Sequence, residues 1–229
     1  MNEYVKALSE EGFQFIGKVS ASITHEIKNA LAVIRENAGL MEDLIAMGER
    51  NGGLDPARIQ KLAEKIGKQA IKADGIVQNM NRFAHSMDEP VADWNLGETV
   101  DLLAALSGRL AAMRGITLQT PVPEAPVWIK TYPVFLETLL WRCLDIAMDA
   151  TGSGKALDIL VEQTEAQAAR IRITGVETTE DRRNASGVPL EHCEGIRRVL
   201  GAEVNFSSTE DGIVITLPKQ VQFSKEGEK

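Results

Sequence analysis

The chain has 229 residues, 44% of them hydrophobic, and a formal net charge of -8 at pH 7. This composition is typical of a globular protein with one large domain or two small ones. The acidic balance leaves no basic stripe for general nucleic-acid binding, and no stretch reaches the ~18 apolar residues of a membrane span. Because the N-terminal residues are charged throughout and do not resemble a secretory signal, we expect a cytoplasmic protein without nucleic-acid or membrane contacts. Cys143 and Cys193 are expected to be reduced, packed thiols.

Two long helices are predicted at the start of the chain. The first covers residues 5–50, and Asn51-Gly52-Gly53 ends it. Asp55 is predicted to cap a second helix, with Pro56 at its first position and its end near residue 87. Apolar residues recur at heptad-like intervals in both helices, at Ile16, Ile23, Ile27, Ile34, Ala38, Met41 and Ile45, and at Ile59, Leu62, Ile66, Ala73, Ile76, Met80, Phe83 and Met87.

The two helices are predicted to form an antiparallel hairpin, because only a tight turn joins them. Two helices cannot enclose their own apolar stripes well, so a homodimeric four-helix bundle is favoured. The alternative is a hairpin that packs on the rest of its own chain.

The remainder of the chain has a different pattern. Residues 89–94 are predicted to be a polar linker, and residues 221–229 a charged tail. Between them, helices and strands are mixed, which indicates an α+β sandwich over residues 95–220. The predicted helices cover 96–114, 133–150 and 190–200, and the predicted strands cover 116–118, 127–129, 157–163, 169–174, 203–207 and 212–217.

His25 is the main candidate functional residue. It lies two positions from both Ile23 and Ile27, about 200° around the helix from the apolar stripe, and should therefore face solvent. An exposed imidazole is nucleophilic near neutral pH and can carry a phosphoryl group. Glu26 can accept a hydrogen bond from one ring nitrogen, Asn29 lies one turn further on the same face, and Lys28 adds positive charge near an incoming phosphate. A bare His-Glu pair on a helix is otherwise an ordinary solvated face.

The longer string around His25 is more specific. Residues 21–34 resemble the dimerisation and phosphoacceptor domain of two-component sensor histidine kinases, whose motif reads Ser-x-x-x-His-Glu-Ile-Lys/Arg-Asn-Pro-Leu. The resemblance implies that His25 is the phosphoacceptor, Glu26 its acid/base partner and Asn29 the amide that orients water in a phosphatase. Ala30 stands where the family has proline, which should straighten the helix by restoring a backbone N–H. Residues 1–88 are accordingly assigned to a dimerisation and histidine phosphotransfer hairpin.

Residues 95–218 are similar in element order to the ATP-binding domain of the same kinases, but the nucleotide motifs differ. The family's Asn box aligns with residues 142–147, where Ile146 replaces the Asn that binds Mg²⁺. Gly175 stands where an Asp would bind the adenine amino group, and Glu177-Thr178-Thr179 follows in place of the loop glycines. The glycine-rich lid aligns with residues 185–190, in which only Gly187 remains. Two or three such losses would cost about 4–8 kcal/mol of binding free energy, so this chain is expected to bind no nucleotide, metal or other cofactor.

These observations predict a fold of a helical hairpin, dimerised into a four-helix bundle, followed by a degenerate ATPase-like α+β sandwich. In character the chain is closest to dimeric histidine phosphotransferases, in which His25 would pass a phosphoryl group between receiver-domain aspartates in a phosphorelay without ATP. The expected partners are a second copy of the chain, response-regulator receiver domains that supply the Mg²⁺, and, as a further candidate, a hybrid sensor kinase. One alternative is a pseudokinase regulator or phosphatase of a receiver or kinase, and another is an active kinase with a diverged ATP site.

Overall fold

The computed structural model describes residues 3–51, 53–164, 168–176, 193–207 and 212–221. Within it the chain forms two compact units, Ser20–Arg82 and the combination of Met1–Val19 with Phe83–Lys229. The start of the first helix thus groups with the later part of the chain, whereas the sequence assigned residues 1–88 to one hairpin. The start of the first helix groups with the later part of the chain because side chains near the ends of both long helices pack on a helix of that part.

The unit Ser20–Arg82 contains the greater part of two long helices. Helix α1 spans Glu3–Asn51 without interruption through Ala30, and helix α2 spans Pro56–His85. Asp55 Oδ1 accepts hydrogen bonds from the backbone N–H groups of Ala57 and Arg58 at 3.1 and 3.2 Å, which confirms the predicted cap. Because α2 ends at His85, Met87, which the sequence predicted as the last residue of the stripe, lies beyond the helix and is exposed.

The second unit is built around a five-stranded sheet. Its strand order is β2-β4-β5-β7-β6. Strand β2 is parallel to β4, and the remaining pairs are antiparallel. The strands are β2 (Thr117–Gln119), β4 (Ala156–Gln163), β5 (Ala169–Thr174), β6 (Glu203–Ser207) and β7 (Gly212–Leu217).

A two-stranded sheet completes the β structure, and one of its strands lies in the segment that the sequence predicted as a linker. Strand β1 (Ala92–Asn95) pairs antiparallel with β3 (Trp128–Thr131). Residues 92–94 were predicted as linker because a four-residue strand preceded by proline has little periodicity. The two short predicted strands at 116–118 and 127–129 therefore belong to different sheets.

Two helices pack on the large sheet, and a third, short helix packs on the second of them. They are α3 (Leu96–Met113), α4 (Pro133–Ala150) and α5 (Glu194–Leu200). Asn95 caps α3 by accepting the N–H of Gly97 at 3.0 Å, and Pro133 occupies the first position of α4. Burial alternates along β4, β5 and β7, so one sheet face forms the core with the helices. A helical N-terminal region followed by an α+β domain is therefore confirmed.

The ends of the long helices pack on α4. Phe15 of α1 contacts the rings of Phe83 and Trp141 with centroid separations of 5.2 Å in both cases. Phe15 and Phe83 are fully buried, and Trp141 almost so. The buried Ser86 hydroxyl lies 2.8 Å from the carboxylate of buried Glu137. These contacts explain why residues 1–19 and 83–88 group with the sheet.

Candidate functional site

His25 lies on the exposed face of α1, as predicted. Ile23 is buried and Ile27 half-buried, whereas the imidazole of His25 is exposed. The side chain two positions from each isoleucine is turned away from the apolar side of the helix by the 3.6-residue period. A partner protein can therefore approach the ring, which a core histidine would not permit.

Asn29 is in direct contact with the imidazole. Its side-chain nitrogen Nδ2 lies 3.0 Å from Nδ1 of His25, across one helical turn. The contact engages one ring nitrogen and leaves Nε2 with no recorded hydrogen bond within the described residues. The structure thus brings His25 and Asn29 together into a single unit.

Glu26 and Lys28 do not join this pair. Glu26 is half-buried and Lys28 exposed, and neither has a recorded hydrogen bond or ion pair in the described part of the chain. Adjacent residues on a helix do not face each other, so Glu26 is poorly placed to meet the ring without a side-chain change. The acid/base role of Glu26 and the phosphate contact of Lys28 stay predictions.

Two buried polar residues flank the site on the inner side of α1. Ser22 and Asn37 are almost fully buried, and the amide of Asn37 donates to the Val33 carbonyl at 2.7 Å. The Ser22 hydroxyl has no hydrogen-bond partner among the described residues. Sequence reasoning missed both, although each is a polar residue whose position borders the apolar stripe.

A groove lies between the two helices beyond His25. Its volume is about 440 Å³. It begins eight residues after His25, which corresponds to about 12 Å along the helix. Its lining mixes apolar and charged side chains from both helices, namely Val33, Glu36, Asn37, Leu40, Lys65, Lys68 and Gln69.

The residues that the resemblance aligns with the Asn box include Arg142 and Asp145, which belong to an ion-pair cluster in the second unit. The carboxylate of Asp145 accepts a hydrogen bond from Arg114 at 2.8 Å, and Lys18 and Arg142 lie 3.7 and 3.8 Å from it. The next residue, Ile146, is buried in the apolar core. The carboxylate is thus engaged by cations, and its neighbour offers no oxygen to a metal.

Gly175 follows strand β5 in a left-handed conformation, with φ of 89°. A Cβ atom there would lie 2.4 Å from the carbonyl oxygen of Ala156. An aspartate therefore does not fit this backbone position. The other two segments that the resemblance aligns with nucleotide motifs, residues 177–179 and 185–190, lie outside the described residues.

The two cysteines are buried and form no disulfide. Burial raises the pKa of the Cys143 thiol far above its usual range, and the proximity of Cys193 raises it further. Packed, unreactive thiols are the result. Across the described residues, no group of three or more His, Cys, Asp or Glu side chains is placed to hold a metal ion.

No protein family model matches the chain. The C4-dicarboxylate transport sensor protein DctB of Pseudomonas aeruginosa is 24% identical over 225 residues, covering 88% of this chain and 35% of that protein. The chain thus spans about a third of the length of this relative. The chain resembles a sensor histidine kinase core.

Solved structures similar to the chain include histidine kinases. The nucleotide-free catalytic domain of histidine kinase ThkA is 17% identical, with 58% of this chain and 100% of that domain covered and a TM-score of 0.46. ThkA in complex with the response regulator TrrA is 17% identical, with 96% of this chain and 67% of that chain covered and a TM-score of 0.44. No helix within the described ranges is long and apolar enough to cross a membrane.

Proposed function

We propose that the chain is a histidine phosphotransfer protein of a two-component phosphorelay. The observation that carries the proposal is an exposed His25 whose Nδ1 is hydrogen-bonded to Nδ2 of Asn29 at 3.0 Å. Nε2 would take a phosphoryl group from the aspartate of one receiver domain and give it to the aspartate of another. Phosphohistidine and aspartyl phosphate are both high-energy, so transfer would run in either direction.

Transfer without ATP is supported by the second unit. Gly175 leaves no room for the adenine-binding carboxylate, and the Asp145 carboxylate is engaged by Arg114. Under the proposal this chain binds no cofactor, and the Mg²⁺ required for phosphoryl transfer is held by the receiver domain. The sheet unit then acts as a structural or docking module.

The receiver would dock on the His25 face and along the neighbouring groove between α1 and α2. The groove mixes apolar side chains with Lys65, Lys68 and Glu36, so it would offer a receiver both apolar surface and charged groups. A cytoplasmic location is proposed with these partners, and a hybrid sensor kinase would be the source of the phosphoryl group.

A homodimer belongs to the proposal as well. The hairpin exposes several large apolar side chains, and most of its predicted stripe is only half-buried within one chain. Pairing with a second hairpin in a four-helix bundle would cover such surface. The exposed residues are Leu31, Leu40, Ile45, Met47, Leu54, Ile71 and Val77.

The experiment that tests the function is a phosphoryl-transfer assay. The purified chain is incubated with [γ-³²P]ATP alone, and separately with phosphorylated receiver domains encoded in the same genome. We expect label only with a receiver, and none on the His25→Ala variant. His85→Ala is the matched control, because His85 is also an exposed helix histidine and should be dispensable. Label from ATP alone would contradict the proposal and indicate a kinase.

A second candidate function is a regulator that removes phosphate from a receiver. The position of Asn29 beside His25 favours it, because an amide there could orient a water for attack on a phosphoryl group. Loss of phosphate from a receiver that persists with His25→Ala and disappears with Asn29→Ala would select this candidate over the transferase.

A further inference from the structure

We infer that Asn29 is a positioning residue for His25, and that the orientation of its side-chain amide selects which ring nitrogen carries the proton. The inference rests on the proposed function, because phosphoryl transfer needs a specific ring nitrogen as the nucleophile. Both residues lie on one exposed face of α1, one turn apart, so the continuous helix fixes their spacing.

The described contact places an amide nitrogen against Nδ1 of the ring. An amide NH₂ group only donates hydrogen bonds, so Nδ1 accepts and offers its lone pair to Asn29. In the neutral ring the single proton is then on Nε2. In this arrangement Nε2 has no lone pair for attack on phosphorus, and the histidine is at rest.

A half-turn of the amide about its Cβ–Cγ bond reverses the arrangement. Oδ1 then occupies the place of Nδ2 and accepts a hydrogen bond from Nδ1–H. The lone pair is now on Nε2, the nitrogen without a recorded partner among the described residues. The amide of Asn29 therefore matches both proton arrangements of the ring, whereas a carboxylate at this position would match only one.

The transfer step is balanced with this arrangement. The Nε2 lone pair forms the N–P bond while the O–P bond of the aspartyl phosphate breaks, and its electron pair stays on the aspartate carboxylate. The proton remains on Nδ1, where Oδ1 of Asn29 holds it, so the ring becomes a phosphorylated imidazolium. In the reverse step the ring leaves as neutral imidazole, which is a better leaving group than imidazolate.

Loss of the Nδ1 proton to solvent would store the phosphoryl group. The neutral phosphorylated ring again has a lone pair on Nδ1, and the Nδ2 group of Asn29 donates to it as in the described contact. Breaking the N–P bond from this form would expel imidazolate and is slower. The two orientations of the amide thus correspond to a holding state and a transferring state.

His85 serves as an internal comparison, because its Nδ1 faces a hydrogen-bond acceptor instead of a donor. Its Nδ1 lies 2.7 Å from the carboxylate of Asp88. A carboxylate only accepts, so Nδ1 of His85 must donate and carry a proton. The two exposed histidines are therefore expected to differ in the protonation of the same ring atom.

The test is ¹⁵N NMR of the histidine rings in the full chain, at a pH where imidazole is neutral. We expect a pyridine-type Nδ1 for His25 in the native protein and a pyrrole-type Nδ1 in Asn29→Asp, where only an acceptor faces the ring. His85 should show a pyrrole-type Nδ1 in both proteins. The same His25 pattern in the native protein and in Asn29→Asp would overturn the inference.

Transfer kinetics supply the functional arm, with two variants of nearly equal shape. Asn29→Thr keeps a hydroxyl that both donates and accepts, whereas Asn29→Val has neither capacity. We expect Asn29→Val to slow transfer from a phosphorylated receiver about tenfold and Asn29→Thr to stay within about threefold of the native rate. Equal rates for the two variants would refute the positioning role. A native chain that takes no label from any receiver would refute the proposed function, whereas the NMR comparison judges the amide's contact with the ring independently.

Discussion

Gly175 occupies a backbone position that only glycine fits. Its backbone is left-handed and its Cα faces the Ala156 carbonyl, so both conformation and space require glycine. The resemblance predicts an aspartate at this position and that prediction stays untested, whereas the close approach depends on the pairing of two strands and could not be predicted.

Substitution of Gly175 tests this reading. We expect Gly175→Ala to lower the free energy of unfolding by about 3 kcal/mol or more, because strain and a steric clash add. Gly154→Ala is the matched control, since Gly154 is also left-handed but has open space around its Cα. Gly154→Ala should lower the free energy of unfolding by about 1 kcal/mol. Urea unfolding measures both, and equal losses would show that the approach to Ala156 is unimportant.

Asp145 and Asp149 form a second matched pair, because both accept from the same nitrogen of Arg114. The side chain of Asp145 is 9% exposed and that of Asp149 is 65% exposed. We expect Asp145→Ala to destabilise the protein by about 2 kcal/mol, since the mostly buried Arg142 loses an ion-pair partner while Arg114 keeps Asp149. Asp149→Ala should cost about 0.5 kcal/mol or less. Thermal unfolding compares them, and a larger effect for Asp149 would be contrary to this expectation.

The raised pKa of the buried Cys143 thiol leads us to expect that stability depends on pH. Because burial raises the pKa of its thiol, the folded state keeps the proton while the unfolded thiol ionises above about pH 8.5. The unfolded state then binds fewer protons, so stability falls as pH rises, by about 1.4 kcal/mol per pH unit for this thiol. Urea unfolding between about pH 8 and 10 should show a shallower decline for Cys143→Ala than for the native chain. Parallel curves would argue against a buried, protonated thiol.

At the level of elements, the start of α1 has a role that its sequence pattern did not reveal. The heptad stripe predicted Ile16 as the apolar contact, whereas Phe15 is fully buried against Phe83 and Trp141. Lys18 lies 4.9 Å above the Trp141 ring and adds a cation–π contact. The stripe describes packing between the two long helices, whereas Phe15 also packs on Trp141 of α4.

The aromatic cluster should therefore dominate the stability of this region. We expect Phe15→Ala to cost about 3–5 kcal/mol of unfolding free energy through loss of buried area and a residual cavity. Phe13→Ala makes the same chemical change two positions away at a side chain that is 71% exposed, and should be nearly neutral. Denaturant unfolding followed by tryptophan fluorescence reports on both. A neutral Phe15→Ala would mean that the cluster contributes little.

The elements were otherwise well predicted where their determinants are local. The caps Asp55 and Asn95 and the proline at the start of α4 lie next to the turns that they specify. Strand β1 was missed because only its pairing with β3 distinguishes it from a loop. The parallel pairing of β2 with β4 joins residues nearly forty positions apart, and periodicity alone carries no information on such a pairing.

For the whole molecule, the exposed apolar side chains of the hairpin predict self-association. We expect a dimer in analytical ultracentrifugation, and Ile71→Asp should shift it toward monomer, because Ile71 is 76% exposed on α2. Val122→Asp is the control, since Val122 is 89% exposed in a loop of the sheet unit. A native chain that is monomeric at all concentrations would contradict the prediction.

The sequence by itself determined the class of the molecule: two long helices with His25 on the exposed side, followed by an α+β unit. These features follow from periodicity, caps and motif residues, which act over a few positions. The tertiary structure decided the contact of Asn29 with Nδ1 of His25, the burial of Phe15 on Trp141 and the space around Gly175. Side-chain rotamers and the pairing of distant strands set these distances, and neither is encoded in a local pattern.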